Sequence, residues 1–113
     1  MSEDPAAVLI EHAVMSLAAL PPGSQHVWQH GLQRVLVCRR LDGRVSAMLD
    51  LCPHARQPLS GGSIDAVGIT CPKHGARFDL ESGVPLNAVC RRPLTMAQAI
   101  VRDDHIYLRL PVA

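Results

Sequence analysis

The sequence predicts an all-β sandwich or small barrel. Short apolar and β-branched runs recur along it, each closed by turn-forming residues. Asp42-Gly43 separates two of these runs in the manner of a hairpin turn. A second pair of runs flanks Arg102-Asp103-Asp104 and reads as another hairpin.

Residues 1–11 carry no clear strand pattern and are expected to form a tail, frayed or helical. From Ala13 onward the text is that of short strands and turns. Val27-Trp28 gives a weak strand signal and Val35-Leu36-Val37-Cys38 a stronger one. Leu41-Asp42-Gly43-Arg44 then turns the chain into Val45-Ser46-Ala47-Met48. Met96 to Val101 and Ile106 to Leu110 make the closing pair. One domain is expected over residues 12–113, a length that supports one modest core. Inserted in it, from about 50 to 87, lies a segment rich in Pro, Gly, Cys and His and poor in apolar runs. Such a segment builds little core of its own, so a bound metal is the economical way to order it.

The formal net charge of +1 gives no electrostatic reason to expect nucleic acid or a membrane surface as partner. Ala13 to Leu20 is the longest apolar stretch, is broken by Ser16, and is too short to span a bilayer. Glu3, Asp4 and Glu11 stand where a secretory leader would be basic, so the expected compartment is the cytoplasm. There, cysteines beside histidines at short spacing read as metal ligands. Two disulfides are the competing reading of the four cysteines.

Two ligand pairs stand out, Cys52-x-His54 and Cys71-x-x-His74, with sixteen residues between His54 and Cys71. Pro53 and Pro72 keep both pairs out of helices. Two loops that each offer a thiolate and an imidazole suit a two-iron cluster in which one iron takes both sulfurs and the other both nitrogens. A tetrahedral zinc site uses the same residue types, though it commonly pairs Cys with Cys and His with His. On spacing, both readings stand.

Residues 52–83 closely resemble the Rieske signature. After Cys52-Pro53-His54 comes Pro58-Leu59-Ser60-Gly61-Gly62, then Cys71-Pro72-Lys73-His74-Gly75-Ala76-Arg77-Phe78-Asp79 and the Ser82-Gly83 turn. Leu20-Pro21-Pro22-Gly23 is similar to the loop after the family's first strand, and Asp103 to Leu108 to its closing hairpin. The resemblance implies a Rieske-like β-sandwich with an inserted cluster-binding subdomain, and one 2Fe-2S cluster held by Cys52, His54, Cys71 and His74. It implies a ferredoxin of a multicomponent ring-hydroxylating dioxygenase system, as used in aromatic hydrocarbon catabolism. Such a protein is an electron carrier and not an enzyme. Its partners would be an NAD(P)H-dependent flavin reductase and a terminal oxygenase, with no small-molecule substrate. The small Rieske-like subunit of an assimilatory nitrite reductase is the alternative, and a zinc-stabilised interaction domain a third reading. The disulfide positions of high-potential members correspond to Gln57 and Lys73, and two hydrogen-bonding positions to Ala76 and Phe78. The resemblance therefore implies a potential at the low end of a window of roughly −150 to +300 mV.

Two positions depart from the family pattern: Arg56, where glycine is common, and Lys73, between Pro72 and His74. Both are expected near the outer iron. Cys38 reads as a core residue and Cys90 as a free thiol. His12, His26, His30 and His105 lack a ligand partner at short spacing, and Trp28 reads as core or rim. Arg39-Arg40 and Arg91-Arg92 read as solvated faces.

Overall fold

Nine strands build two antiparallel sheets in a computed structural model that describes residues 9–54 and 56–111. The larger sheet contains β1 (Leu9–Ser16), β2 (Gln25–His30), β3 (Gln33–Arg39), β4 (Val45–Leu49), β8 (Met96–Arg102) and β9 (His105–Pro111). Their order is β1-β9-β8-β4-β3-β2. The smaller sheet has the order β5-β6-β7, from Ser63–Ile64, Gly68–Thr70 and Arg77–Asp79. A 3-10 turn, Leu17–Ala19, follows β1.

Strand period explains where the cores lie. On β3, Val35 and Val37 face one way and Leu36 and Cys38 the other, and all four are fully buried. Val35, Val37 and Ala47 pack with Ile106, Leu108 and Leu110 on the concave side of the larger sheet. Leu36, Cys38 and Met48 pack with Leu59, Ile69 and Phe78, so the opposite face carries the smaller sheet. An unbroken apolar run at 35–38 is the signature of a strand covered on both faces.

The larger sheet curls into a half-barrel. His12 on edge strand β1 reaches across to β2 on the other edge, 5.4 Å from the Trp28 ring and 4.5 Å from that of His30. Trp28 and His30 stack on each other at 5.3 Å. The side chains that close this seam are thus three aromatic rings, with Trp28 half-buried against the concave core.

Both hairpins form with the turn residues expected. Gly43 adopts φ +93° in the β3–β4 turn. Asp103 and Asp104 take φ +52° and +60° between the paired residues Arg102 and His105, the arrangement of a two-residue type I′ turn.

Three expectations need correction. Strand β1 begins at Leu9, inside the segment read as a tail, and Leu9 to Glu11 pair with Arg109 to Pro111. Residues 1–8 of that segment lie outside the described residues. The Arg39-Arg40 pair is not a solvated face. Arg39 donates to the carbonyls of Leu17, Leu20 and Gly43, and Arg40 is buried beside Asp42 and Glu81. The segment from about 50 to 87, expected to build little core, buries Leu59, Ile69, Phe78 and Leu80, and its strands β5 to β7 escaped notice because each is only two or three residues long. Among the described residues, no helix is long and apolar enough to cross a membrane.

Candidate metal centre

The two ligand loops have the same backbone design. Cys52 N–H donates to the Gln57 carbonyl at 2.7 Å, and Arg56 N–H donates to the Cys52 carbonyl at 2.8 Å. In the second loop Cys71 N–H donates to Ala76 at 2.7 Å, and Gly75 N–H donates to Cys71 at 3.1 Å. Each cysteine therefore opens a turn that returns to pair with it five residues later. The fourth residue past each cysteine has a left-handed backbone, φ +53° at Arg56 and +76° at Gly75.

These turns separate the four candidate ligands by chemistry. Cys52 and Cys71 are buried, at 0% and 1% exposure, among Leu59, Ile69, Ala76 and Phe78. His54 and His74 stand exposed at the loop tips, their ring centroids 5.0 Å apart and nearly edge-to-face. Sulfur donors inside and imidazoles outside, drawn equally from two loops, fit a two-iron cluster with one all-sulfur and one imidazole-ligated iron. Among the described residues no three His, Cys, Asp or Glu side chains gather to hold a single metal ion.

The loops are held from below. Asp50, whose side chain is fully buried, accepts from Leu59 N–H at 2.8 Å, Ser60 N–H at 2.7 Å and Ser60 Oγ at 3.0 Å. Its remaining capacity meets Arg34 Nη2 at 3.0 Å. One carboxylate thereby ties both ends of the first ligand loop together. Gln25 on β2 extends the tie, accepting from Gly61 N–H and donating to the Gly62 carbonyl. Gly62 itself lies so close to β6 that a Cβ there would meet the Thr70 carbonyl oxygen at 2.3 Å.

A second network fixes the other loop. Arg77 on β7 binds Asp65 through two parallel hydrogen bonds of 3.0 and 2.8 Å. Asp65 Oδ1 also accepts the N–H groups of Val67 and Gly68, which closes the β5–β6 turn. The Arg77 guanidinium, aided by these amides, holds the Asp65 carboxyl far below the usual carboxylate range. Arg77 N–H donates to Asn87 Oδ1, while Asn87 Nδ2 donates to the Gly75 carbonyl. Asn87 thus links β7 to the second ligand loop.

Other residues singled out in the sequence fall elsewhere. Cys38 is completely buried, and burial, with the nearby Asp50 carboxylate, pushes its thiol up to about 12. Such a thiol is inert packing. His12 and His30 belong to the aromatic seam, and His105 sits near Tyr107. Arg56, Lys73, Arg91 and Arg92 are exposed, as expected. Asp50, Gln25, Asp65 and Asn87 escaped sequence reading. The Asp65-x-Val67-Gly68 turn carried a local signal, but the partners of the others lie 9 to 37 residues away.

Comparison with known proteins adds three findings. The Rieske [2Fe-2S] domain family matches residues 11–98. Ferredoxin CarAc of Metapseudomonas resinovorans is 32% identical over 73 residues, which cover 65% of this chain and 68% of that one. Among solved structures, the complex of reduced oxygenase and oxidized ferredoxin in carbazole 1,9a-dioxygenase matches with a TM-score of 0.81 at 28% identity, covering 88% of this chain and 92% of the other. A nitrite reductase small subunit from Mycobacterium tuberculosis superimposes with a TM-score of 0.82 over 94% and 98% of the chains, but at 20% identity it shares the fold and nothing more.

Proposed function

Because the chain belongs to the Rieske [2Fe-2S] domain family, we propose that it is a ferredoxin in which Cys52, Cys71, His54 and His74 hold the cluster. It would carry single electrons from a flavin-containing NAD(P)H reductase to a terminal ring-hydroxylating oxygenase. The observation that carries this reading is the division of the four side chains, two thiols in a dry core and two imidazoles exposed at the loop tips. When bound, a cluster with two thiolate and two imidazole ligands accepts and releases one electron at roughly −150 to +300 mV.

The chain's own residues supply the rest. Leu59, Ile69 and Phe78 exclude water around the cysteines, and the Asp50 and Asn87 networks fix one loop each. His54 and His74 present their outer edges to solvent, where another protein can approach closely. A cluster held by all four side chains, with its sulfides completing each iron, would leave no position for a substrate, which supports a carrier and not an enzyme. The family match sets the zinc reading aside. Matching relatives include ferredoxin CarAc and a 3-phenylpropionate/cinnamic acid dioxygenase ferredoxin subunit, and the solved complex pairs a ferredoxin with an oxygenase. We place the protein in the cytoplasm, where Cys38 and Cys90 stay reduced.

The test is ligand replacement. Wild-type protein reconstituted with iron and sulfide should show the visible absorption of a 2Fe-2S centre and, once reduced, a one-electron paramagnetic signal. Cys52→Ser and Cys71→Ser should each lose both. Full cluster spectra in both serine variants would overturn the ligand assignment.

A further inference from the structure

Resting on the electron-carrier reading, we propose that Arg56, Arg91, Arg92 and Lys73 form a cationic collar around the exposed histidines. The collar docks a carboxylate-rich face on the protein that exchanges the electron.

A net charge of +1 conceals a strong asymmetry. Of the 11 basic side chains, seven are engaged within the molecule. Arg34 meets Asp50, Arg77 meets Asp65, and Arg102 and Arg109 meet Glu11. Arg40 and Arg44 share Asp42 and Glu81, and Arg39 donates to backbone carbonyls. Among the described residues, the basic side chains without a carboxylate or carbonyl partner are Arg56, Lys73, Arg91 and Arg92. All four are exposed, and Arg56 and Lys73 lie within the two ligand loops.

Their placement makes a surface. Arg56, Arg91 and Arg92 line an open depression of about 410 Å³ together with Pro53, His54 and Val89. Val89 is 39% exposed and gives the basic depression an apolar patch. Lys73 directly precedes His74 in the second loop, and the His74 ring lies 5.0 Å from that of His54. Among the described residues, no carboxylate lines the depression.

Arg56 adds an independent observation. Its left-handed backbone is one that glycine adopts without strain and that a side chain adopts at a cost. Among the described residues no carboxylate or carbonyl pairs with its guanidinium, which leaves the charge available to a group outside the chain. Guanidinium groups pair with carboxylates through two parallel hydrogen bonds, and several around one apolar spot suit an acidic protein face. Charge of this kind acts chiefly on the rate of encounter.

The test uses the full chain carrying its cluster, reduced, and mixed in a stopped-flow instrument with two haem proteins of opposite charge. Transfer to acidic cytochrome b5 should slow by about tenfold or more between low and high ionic strength, whereas transfer to basic cytochrome c should not slow. The R56Q/R91Q/R92Q variant should lose about tenfold in rate towards cytochrome b5 at low salt and show a flattened salt dependence. R56K/R91K/R92K should keep both, and an unaltered visible spectrum in each variant verifies intact ligand loops. Equal salt dependence in the wild type and the glutamine variant overturns the collar while leaving the carrier reading in place. A wild-type chain that assembles no cluster overturns the carrier reading and the collar with it. Abolition of the cytochrome b5 preference by millimolar inorganic phosphate at constant ionic strength overturns protein docking in favour of a small-anion site.

Discussion

Arg56 and Gly75 hold equivalent places in the two ligand loops: each lies four residues past a cysteine, donates its N–H to that cysteine's carbonyl, and has positive φ. The loops are two copies of one turn, and the sequence fills the special position differently in each. Arg56→Gly should therefore preserve cluster assembly and leave stability unchanged or raised by up to about 1 kcal/mol. Gly75→Ala has open space for its Cβ, yet should cost about 1 kcal/mol because of the backbone alone. Urea unfolding of the cluster-loaded variants measures both. A Gly75→Ala protein as stable as wild type would show that the left-handed turn carries no strain.

The clamp beneath the first loop is a larger contributor. Asp50 accepts four hydrogen bonds from three residues, and its side chain is wholly buried. Asp50→Asn replaces an acceptor oxygen with a donor and removes the charge facing Arg34, and should cost about 3 kcal/mol. Ser60→Ala removes only the hydroxyl bond and should cost about 1 kcal/mol. Denaturant midpoints give both values. The kinetic companion is faster loss of the visible cluster spectrum on dilution into chelator in Asp50→Asn than in Ser60→Ala. Equal loss rates in the two variants would separate the clamp from ligand positioning.

The main strands and the ligand pairs were legible for reasons that act locally. Val35 to Cys38 is a strand buried on both faces, and β-branched residues bounded by turns mark it wherever it occurs. Asp42-Gly43 and Asp103-Asp104 are turns because their residues tolerate positive φ. Thiols and imidazoles at short spacing are ligand chemistry, so four candidate side chains could be named, and the fold brings both pairs to neighbouring loop tips. Strand β1 was less visible because Leu9 and Ile10 are exposed, and the strand owes its existence to pairing with β9, about a hundred residues away. The same holds for the supports of the site. Asp50, Gln25 and Asn87 are ordinary polar residues until the fold brings their partners to them. Arg39 and Arg40 read as surface charges because nothing local shows that the carbonyls of Leu17 and Leu20, or Glu81, lie opposite.

The Asp65–Arg77 pair makes stability depend on acid in a defined direction. Asp65 has a carboxyl held well below its ordinary value, first by the Arg77 hydrogen bonds and then by the amides of Gly68 and Val67. In the unfolded chain the same group titrates near about 3.9. The stabilisation is therefore fully present above that pH. It is lost as the pH falls towards the depressed folded value, because the unfolded state takes up the proton first. Both side chains are partly exposed, 48% for Asp65 and 33% for Arg77, so solvent screens the pair and its contribution is modest. Asp65→Asn should be less stable than wild type at pH 7, and the gap should narrow steadily below about pH 4. Comparing the two proteins at each pH cancels acid effects on every group that both share. Arg77 also holds Asn87, whose amide fixes Gly75, so Asn87→Ala should loosen the second loop with no change in that pH dependence. Unfolding midpoints from pH 7 to pH 3 for the three proteins decide the matter. A stability gap between Asp65→Asn and wild type that stays constant down to pH 3 would show that the carboxylate's charge contributes nothing there.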